Sequence, residues 1–146
     1  MDSYYWTVKE FCTWLKQLVC INEDNAETIV TKIMTVYIAT TELTYSEPVS
    51  EALTCFKKEM LPLACEKFSL YWEIFDPYNL DEAVCGSLID DLSDIYNDIQ
   101  QGVYLYECGK KEDAVWCWKW SFENHWKYHA TDAIRALCRI DQFTAQ

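Results

Sequence analysis

The sequence predicts an all-α fold: a single-domain antiparallel bundle of about five helices, with an irregular connector near residues 62–86. Apolar residues recur at three- and four-residue spacings along most of the chain. Three Gly and three Pro in 146 residues are too few for a turn-rich β fold, and they leave no Gly-rich phosphate cradle. An apolar share of 51% with 16% aromatic supplies a core and excludes disorder.

The elements follow in order. Tyr4/Tyr5, Val8, Phe11/Cys12, Leu15 and Leu18/Val19 mark one face of a first helix, which the polar run Asn22 to Asn25 ends. A second helix runs from about Ala26 through Ile29/Val30, Ile33 and Val36/Tyr37 to Thr40, with Glu27 near its positive end. The short connection makes the two an antiparallel N-terminal hairpin over residues 3–41. Thr44 to Pro48 reads as a loop, and Leu53, Phe56 and Met60 give Ser50 to Met60 a helical spacing that Pro62 ends or kinks. Leu70 to Ala83 has large apolar residues without clean periodicity and is expected to be a buried, partly extended or 3₁₀ connector. Ser87 caps the clearest helix, whose seam is Leu88, Leu92, Ile95, Ile99, Val103 and Tyr106; Gly109 stops it and Lys110-Lys111 turn the chain. A last long helix starts near Glu112, carries Val115, Trp118, Phe122, His125, His129 and Ala133 on one face, and is expected to bend near Lys127 to Thr131.

The N-terminus has no basic stretch followed by an apolar run, and the charge-free stretch Ile33 to Thr41 is far too short to span a bilayer. The expectation is a cytoplasmic protein. Cys12, Cys20, Cys55, Cys65, Cys85, Cys108, Cys117 and Cys138 are widely spread with no C-x-x-C, as reduced thiols used as small hydrophobes would be.

Four blocks carry a family resemblance: Tyr71-Trp-Glu-Ile-Phe-Asp-Pro-Tyr78, Gly86-Ser-Leu-Ile-Asp-Asp-Leu-Ser-Asp-Ile-Tyr-Asn-Asp98, Ala114-Val-Trp-Cys-Trp-Lys-Trp-Ser-Phe-Glu-Asn-His-Trp126 and His129-Ala-Thr-Asp-Ala-Ile-Arg-Ala-Leu137. In order and spacing they resemble the bacterial helical family known as domain of unknown function 5063, over roughly residues 70–140. The resemblance implies an all-helical bacterial cytosolic protein and no particular activity.

Three constellations could carry chemistry. His125 and His129, four apart on a helix, point the same way. If the last two helices pair about a turn centred near Gly109-Lys110, His125 faces Asp94 and His129 faces Asp90, with Asp91 one step away. That is a ligand set for a divalent metal between two helices. The plainer alternative is a pair of neutral imidazoles closing a polar gap on a core stripe; a pH-responsive or catalytic pair is a third. Asp90, Asp91, Asp94 and Asp98 form a ladder in which Asp94 and Asp98 lie beyond the favourable helix N-terminus and repel at i,i+4. Such a ladder suits a solvated face, a cationic partner, a metal, or bonds to His129 or Arg135. Finally, Trp118 and Phe122 face one way while Trp116 and Trp120 face nearly opposite, so the last helix is either central or exposes a patch.

The net charge of −12 disfavours nucleic acid and anionic membrane surfaces. It is local: between Lys67 and Lys110 there is no Lys or Arg, while Glu73, Asp76, Asp81, Glu82, Asp90, Asp91, Asp94, Asp98 and Glu107 all fall there. The sequence therefore favours a non-enzymatic protein-interaction module, adaptor-like or immunity-like, that needs no cofactor. It would bind a basic protein through Asp91, Asp94, Asp98, Trp116 and Trp120, and an uncovered Trp116/Trp120 face would suit a homodimer. The alternative is a metal-binding protein or metal-dependent enzyme built on His125, His129, Asp90, Asp91 and Asp94.

Overall fold

A computed structural model describes residues 2–44, 47–50 and 56–140. It is predominantly helical, as predicted, with one small antiparallel sheet. Helices α1 (Asp2–Gln17) and α2 (Ala26–Thr41) form the expected N-terminal hairpin. Its turn is built by asparagine side chains. Asn22 Oδ1 accepts from the Asp24 and Asn25 amides at 3.0 and 3.2 Å, and Asn25 Oδ1 accepts from the Asn22 amide at 3.0 Å. Many β-branched residues make α2 a poor helix by propensity. Packing holds it through the buried Ile29, Val30, Ile33 and Val36.

Residues 56–60 are not helical, which corrects the helix expected over Ser50 to Met60; Leu53 and Cys55 lie outside the described residues. Helical spacing there is overridden by tertiary hydrogen bonds. The Asn97 side chain accepts from the Glu59 amide at 3.0 Å and donates to its carbonyl at 2.8 Å, and Ser93 Oγ accepts from the Leu61 amide at 3.0 Å. The strap so formed lies along the long helix α3 (Leu88–Glu107). Farther on, Ala64 bridges to the end of the first hairpin, bonding Ile21 at 2.9 Å and Val19 at 3.0 Å.

The connector is partly extended, as expected, and its burial is the second correction. Strands β1 (Leu70–Glu73) and β2 (Val84–Ser87) pair antiparallel with Tyr71 opposite Gly86. The arm is not buried: Trp72, Ile74, Phe75, Tyr78 and Leu80 are exposed. Strand β2 runs straight into α3, and Ser87 caps it as predicted, its side chain accepting from the Asp90 amide at 3.2 Å.

Helix α3 is the central element and packs on α1, α4 (Lys111–Ser121) and α5 (Lys127–Leu137). Gly109 turns the chain with φ of +80°, the left-handed conformation that favours glycine. The last long helix is interrupted over Phe122–Trp126 by a π-helical turn, in which the Lys127 amide reaches back five residues to the Phe122 carbonyl. The bend expected near Lys127 to Thr131 falls within the regular helix α5; the irregularity lies just before it, in this turn. Cys12, Cys20, Cys65, Cys85, Cys108, Cys117 and Cys138 are all free. Among the described residues no helix is long and apolar enough to cross a membrane.

Candidate functional site

Helices α3 and α5 and the π turn bring both histidines together with three of the ladder aspartates. His125 Nδ1 lies 2.6 Å from Asp98 Oδ2, and His129 Nδ1 lies 2.8 Å from Asp91 Oδ1. An ionised carboxylate only accepts, so each imidazole donates at Nδ1; at Nε2 a neutral ring presents a lone pair and a protonated ring a second donor. The two Nε2 atoms face each other at 3.2 Å, and Asp94 Oδ2 stands 3.4 Å from His129 Nε2. One ligand atom from each of Asp94, His125 and His129 falls within 4.8 Å of the other two.

The surroundings fix this arrangement. Asp91 and Asp98 are buried, which pushes both carboxyl pKa values up, while the histidine hydrogen bonds pull them back. On the other side, its bond to Asp91 holds the His129 pKa above the usual range, burial opposes this, and Asp94 adds to the rise. Tyr71 donates to Asp91 Oδ2 from strand β1. It can reach because Gly86 lies under its ring, where any Cβ would collide. Burial, then the neighbouring Asp91, raises the Tyr71 pKa, so the phenol stays a donor. Lys58, on the strap, stands 3.9 Å from Asp98 Oδ1. The His125 side chain is 41% exposed.

The predicted set needs three corrections. Asp90 is exposed at the first turn of α3 and takes no part. Asp91 and Asp98, expected on a partner-facing acidic surface, are buried against the histidines instead. Asp94 alone of the ladder remains beside the Nε2 pair. His129 with Asp91 is displaced by one residue from the antiparallel register drawn about Gly109-Lys110, as the extra residue of a π turn requires. His125, inside that turn, reaches a further turn along α3 to Asp98. Tyr71 was missed altogether; its sequence signal is a tyrosine with a glycine at its cross-strand position, readable only once the hairpin is known. Trp116 and Trp120 do stack, at 5.7 Å between centroids, with Trp120 exposed.

A family model described as a domain of unknown function (DUF5063) matches residues 5–142, nearly the whole chain and well beyond the 70–140 region that carries the motifs. A solved protein, BF1032 from Bacteroides fragilis, is similar in fold with a TM-score of 0.70 and 16% identity, covering 95% of this chain and 93% of its own. No curated protein matches.

Proposed function

The chain belongs to the DUF5063 family, and we propose that in this member the His125/His129 pair and Asp94 form a divalent transition-metal centre. The observation that carries this reading is the 3.2 Å separation of two Nε2 atoms whose Nδ1 protons are already committed to carboxylates. Two lone pairs that close repel unless a proton or a metal ion lies between them, and Asp94 beside them completes a set of three metal-ligand atoms. Ligands at the usual zinc–nitrogen distance in a tetrahedral site stand about 3.3–3.4 Å apart. The His–His and His129–Asp94 edges, 3.2 and 3.4 Å, agree with that spacing.

Charge supports the same reading. Lys58, 3.9 Å from Asp98, is a single fixed cation beside Asp91, Asp94 and Asp98, and a dication would compensate the excess. Asp98 and Asp91 occupy the positions from which carboxylates orient metal-bound histidines, and Tyr71 steadies Asp91. Two imidazoles and one carboxylate select zinc, iron, manganese or cobalt over calcium or magnesium. Three protein ligands leave a coordination position for water or substrate, the pattern of catalytic rather than structural sites. A metal so held supplies Lewis acidity or an activated water.

Cobalt(II) titration of chelator-treated protein, followed by its visible absorption, tests the centre. Stoichiometric binding is expected in the wild type and none in His125→Ala or His129→Ala. Asp91→Asn is expected to weaken binding ten- to a hundredfold, as loss of an orienting carboxylate does. Cobalt binding that is absent, or indifferent to the histidine variants, overturns the reading and leaves the pair as a structural link between α3 and α5.

A second reading keeps the basic protein partner and moves its address. The exposed arm carries Trp72, Phe75, Tyr78 and Leu80 interleaved with Glu73, Asp76, Asp81 and Glu82 and with no basic residue. Self-association or partner capture that Phe75→Ser plus Tyr78→Ser abolishes, with the cobalt centre intact, would assign binding to the arm. Capture that survives those changes would point to the Trp116/Trp120 face.

A further inference from the structure

The arm formed by β1, β2 and the turn between them has two different faces. Tyr71 and Glu73 turn inward, Tyr71 to Asp91 on α3 and Glu73 to Asp132 on α5. Leu70 and Trp72 alternate with them and are exposed. At the far end Phe75, Tyr78 and Leu80 stand almost wholly in solvent. Their turn is already built. The Asn79 amide donates to the Asp76 carbonyl at 3.2 Å, the Tyr78 amide donates to Asp76 Oδ1 at 3.0 Å, and Pro77 holds the second position. An apolar surface held in place before contact loses little entropy on binding.

Charge and backbone decide what can cover it. Asp81 and Glu82 are exposed, with no ion-pair partner among the described residues. Arg135 meets the arm at its base, where it bonds the Trp72 carbonyl at 2.7 Å and lies in the field of Glu73. A second copy of the arm, or an anionic membrane, would bring like charge to Asp81 and Glu82. Nor does the sheet edge offer a template. The Leu88 amide bonds the Ser69 carbonyl at 2.9 Å, so Tyr71–Gly86 and Glu73–Val84 are the hydrogen-bonded pairs, and Trp72 and Cys85 turn their main-chain groups outward. Arg135 takes the Trp72 carbonyl, and β2 is left with Cys85 and the Ser87 amide, too short an edge to register another strand. A helix satisfies its own backbone and can lie across exposed side chains.

We propose that the arm, resting on the second reading above as the binding element, receives a cationic amphipathic helix of a partner protein. The helix lays its apolar face on Trp72, Phe75, Tyr78 and Leu80 and sets its Lys or Arg residues beside Asp81 and Glu82. From Leu70 to Asp76 the arm runs about 20 Å at the rise of a strand, the length of about 13 helical residues. The aromatic side chains carry the affinity, and the carboxylates set the sign of the partner and the rate of encounter. None of His125, His129 and Asp94 takes part in the contact.

Fluorescence anisotropy of a labelled peptide of about fourteen residues, leucine and lysine in helical spacing, tests it. Two companion peptides serve as controls: the same residues in strict alternation, as a strand requires, and the helical pattern with glutamate in place of lysine. The helical lysine peptide is expected to bind at least tenfold more tightly than either, and to weaken as salt rises. Asp81→Asn plus Glu82→Gln is expected to lower its affinity severalfold and flatten the salt dependence. Phe75→Ser plus Tyr78→Ser, both at exposed positions, is expected to abolish binding with the melting temperature unchanged. Peptide binding that survives the Phe75 and Tyr78 changes takes the arm out of both readings. Binding that needs those residues but favours the alternating peptide, or ignores the sign of the charge, overturns the helix and leaves the arm as the site. No binding of the lysine peptide by the wild type overturns the helix outright. If phosphatidylcholine vesicles or a second copy then associate through Phe75 and Tyr78, they are the arm's occupant instead.

Discussion

Gly102 shows how a single residue sets the packing of the core. It sits within α3, where glycine is less stable than alanine by roughly 0.5–1 kcal/mol. The cause is Trp118, whose indole lies against the glycine so closely that an added Cβ would fall inside the ring's van der Waals envelope. From there Trp118 Nε1 donates to the Ile99 carbonyl at 2.9 Å, and Tyr4 meets the ring edge-on at 4.9 Å. Tyr4 in turn bonds Thr40 at 2.9 Å, so one ring ties α3 and α4 to both helices of the N-terminal hairpin. Gly102→Ala is therefore expected to destabilise the fold by about 1–3 kcal/mol despite alanine's better helix propensity, because the indole must leave its place. Urea unfolding measures it; a variant as stable as the wild type would mean that the ring relaxes without loss.

At the scale of elements, the legible parts are those whose partners are close in sequence or periodic. The seams of α1, α2 and α3, the Ser87 cap and the Gly109 turn could be read because each is a local rule satisfied locally. The strap at 56–63 could not, since its hydrogen bonds go to Asn97 and Ser93, far along the chain. Nor could the hairpin, whose apolar residues face outward and so break the usual link between hydrophobicity and burial. For the site, the spacing of His125 and His129 and the facing aspartate helix were legible. The pairing with Asp98 was not, because a π turn is a backbone insertion with no signature in residue type. The hairpin also carries a titration. Glu73, at the end of β1, has its pKa pushed up to about 7, first by burial and then by Asp132 on α5, with Asp91 adding and Arg135 opposing. A raised carboxyl pKa means that the folded state holds a proton the unfolded chain has lost. Stability from this group is full below about pH 4.5 and falls as pH rises toward 7. Glu73→Gln is expected to flatten that slope in thermal melts across the window; an unchanged slope would place the titration elsewhere.

Across the whole molecule, the acidity concentrated between Glu73 and Glu107 is divided: Asp81, Glu82, Asp90 and Glu107 are exposed, while Asp91 and Asp98 are buried and Asp94 is half-buried beside them. Asp91 and Asp98 hold the histidines, Asp94 stands beside their free nitrogens, Asp76 closes the arm's turn, and Glu107 pairs with Lys9 and Tyr5 on α1. Such a concentration of buried and half-buried carboxylates strains the folded state unless something positive joins it, and the proposed dication is that component. It would draw its ligands from α3, the π turn and α5, and so would resist the separation of α5 from the rest of the bundle. A ligand that binds only the folded state stabilises it by about 2.7 kcal/mol at a free concentration a hundred times its Kd. For a chain of this size that corresponds to a rise in Tm of roughly 5–10 °C. Zinc or cobalt(II) added to chelator-treated protein is expected to produce that rise, with a midpoint that keeps climbing as the metal concentration increases. Asp94→Asn is expected to reduce it and His125→Ala to remove it. A melting temperature that ignores the metal in the wild type, or responds equally in His125→Ala, would remove the dication from the charge balance.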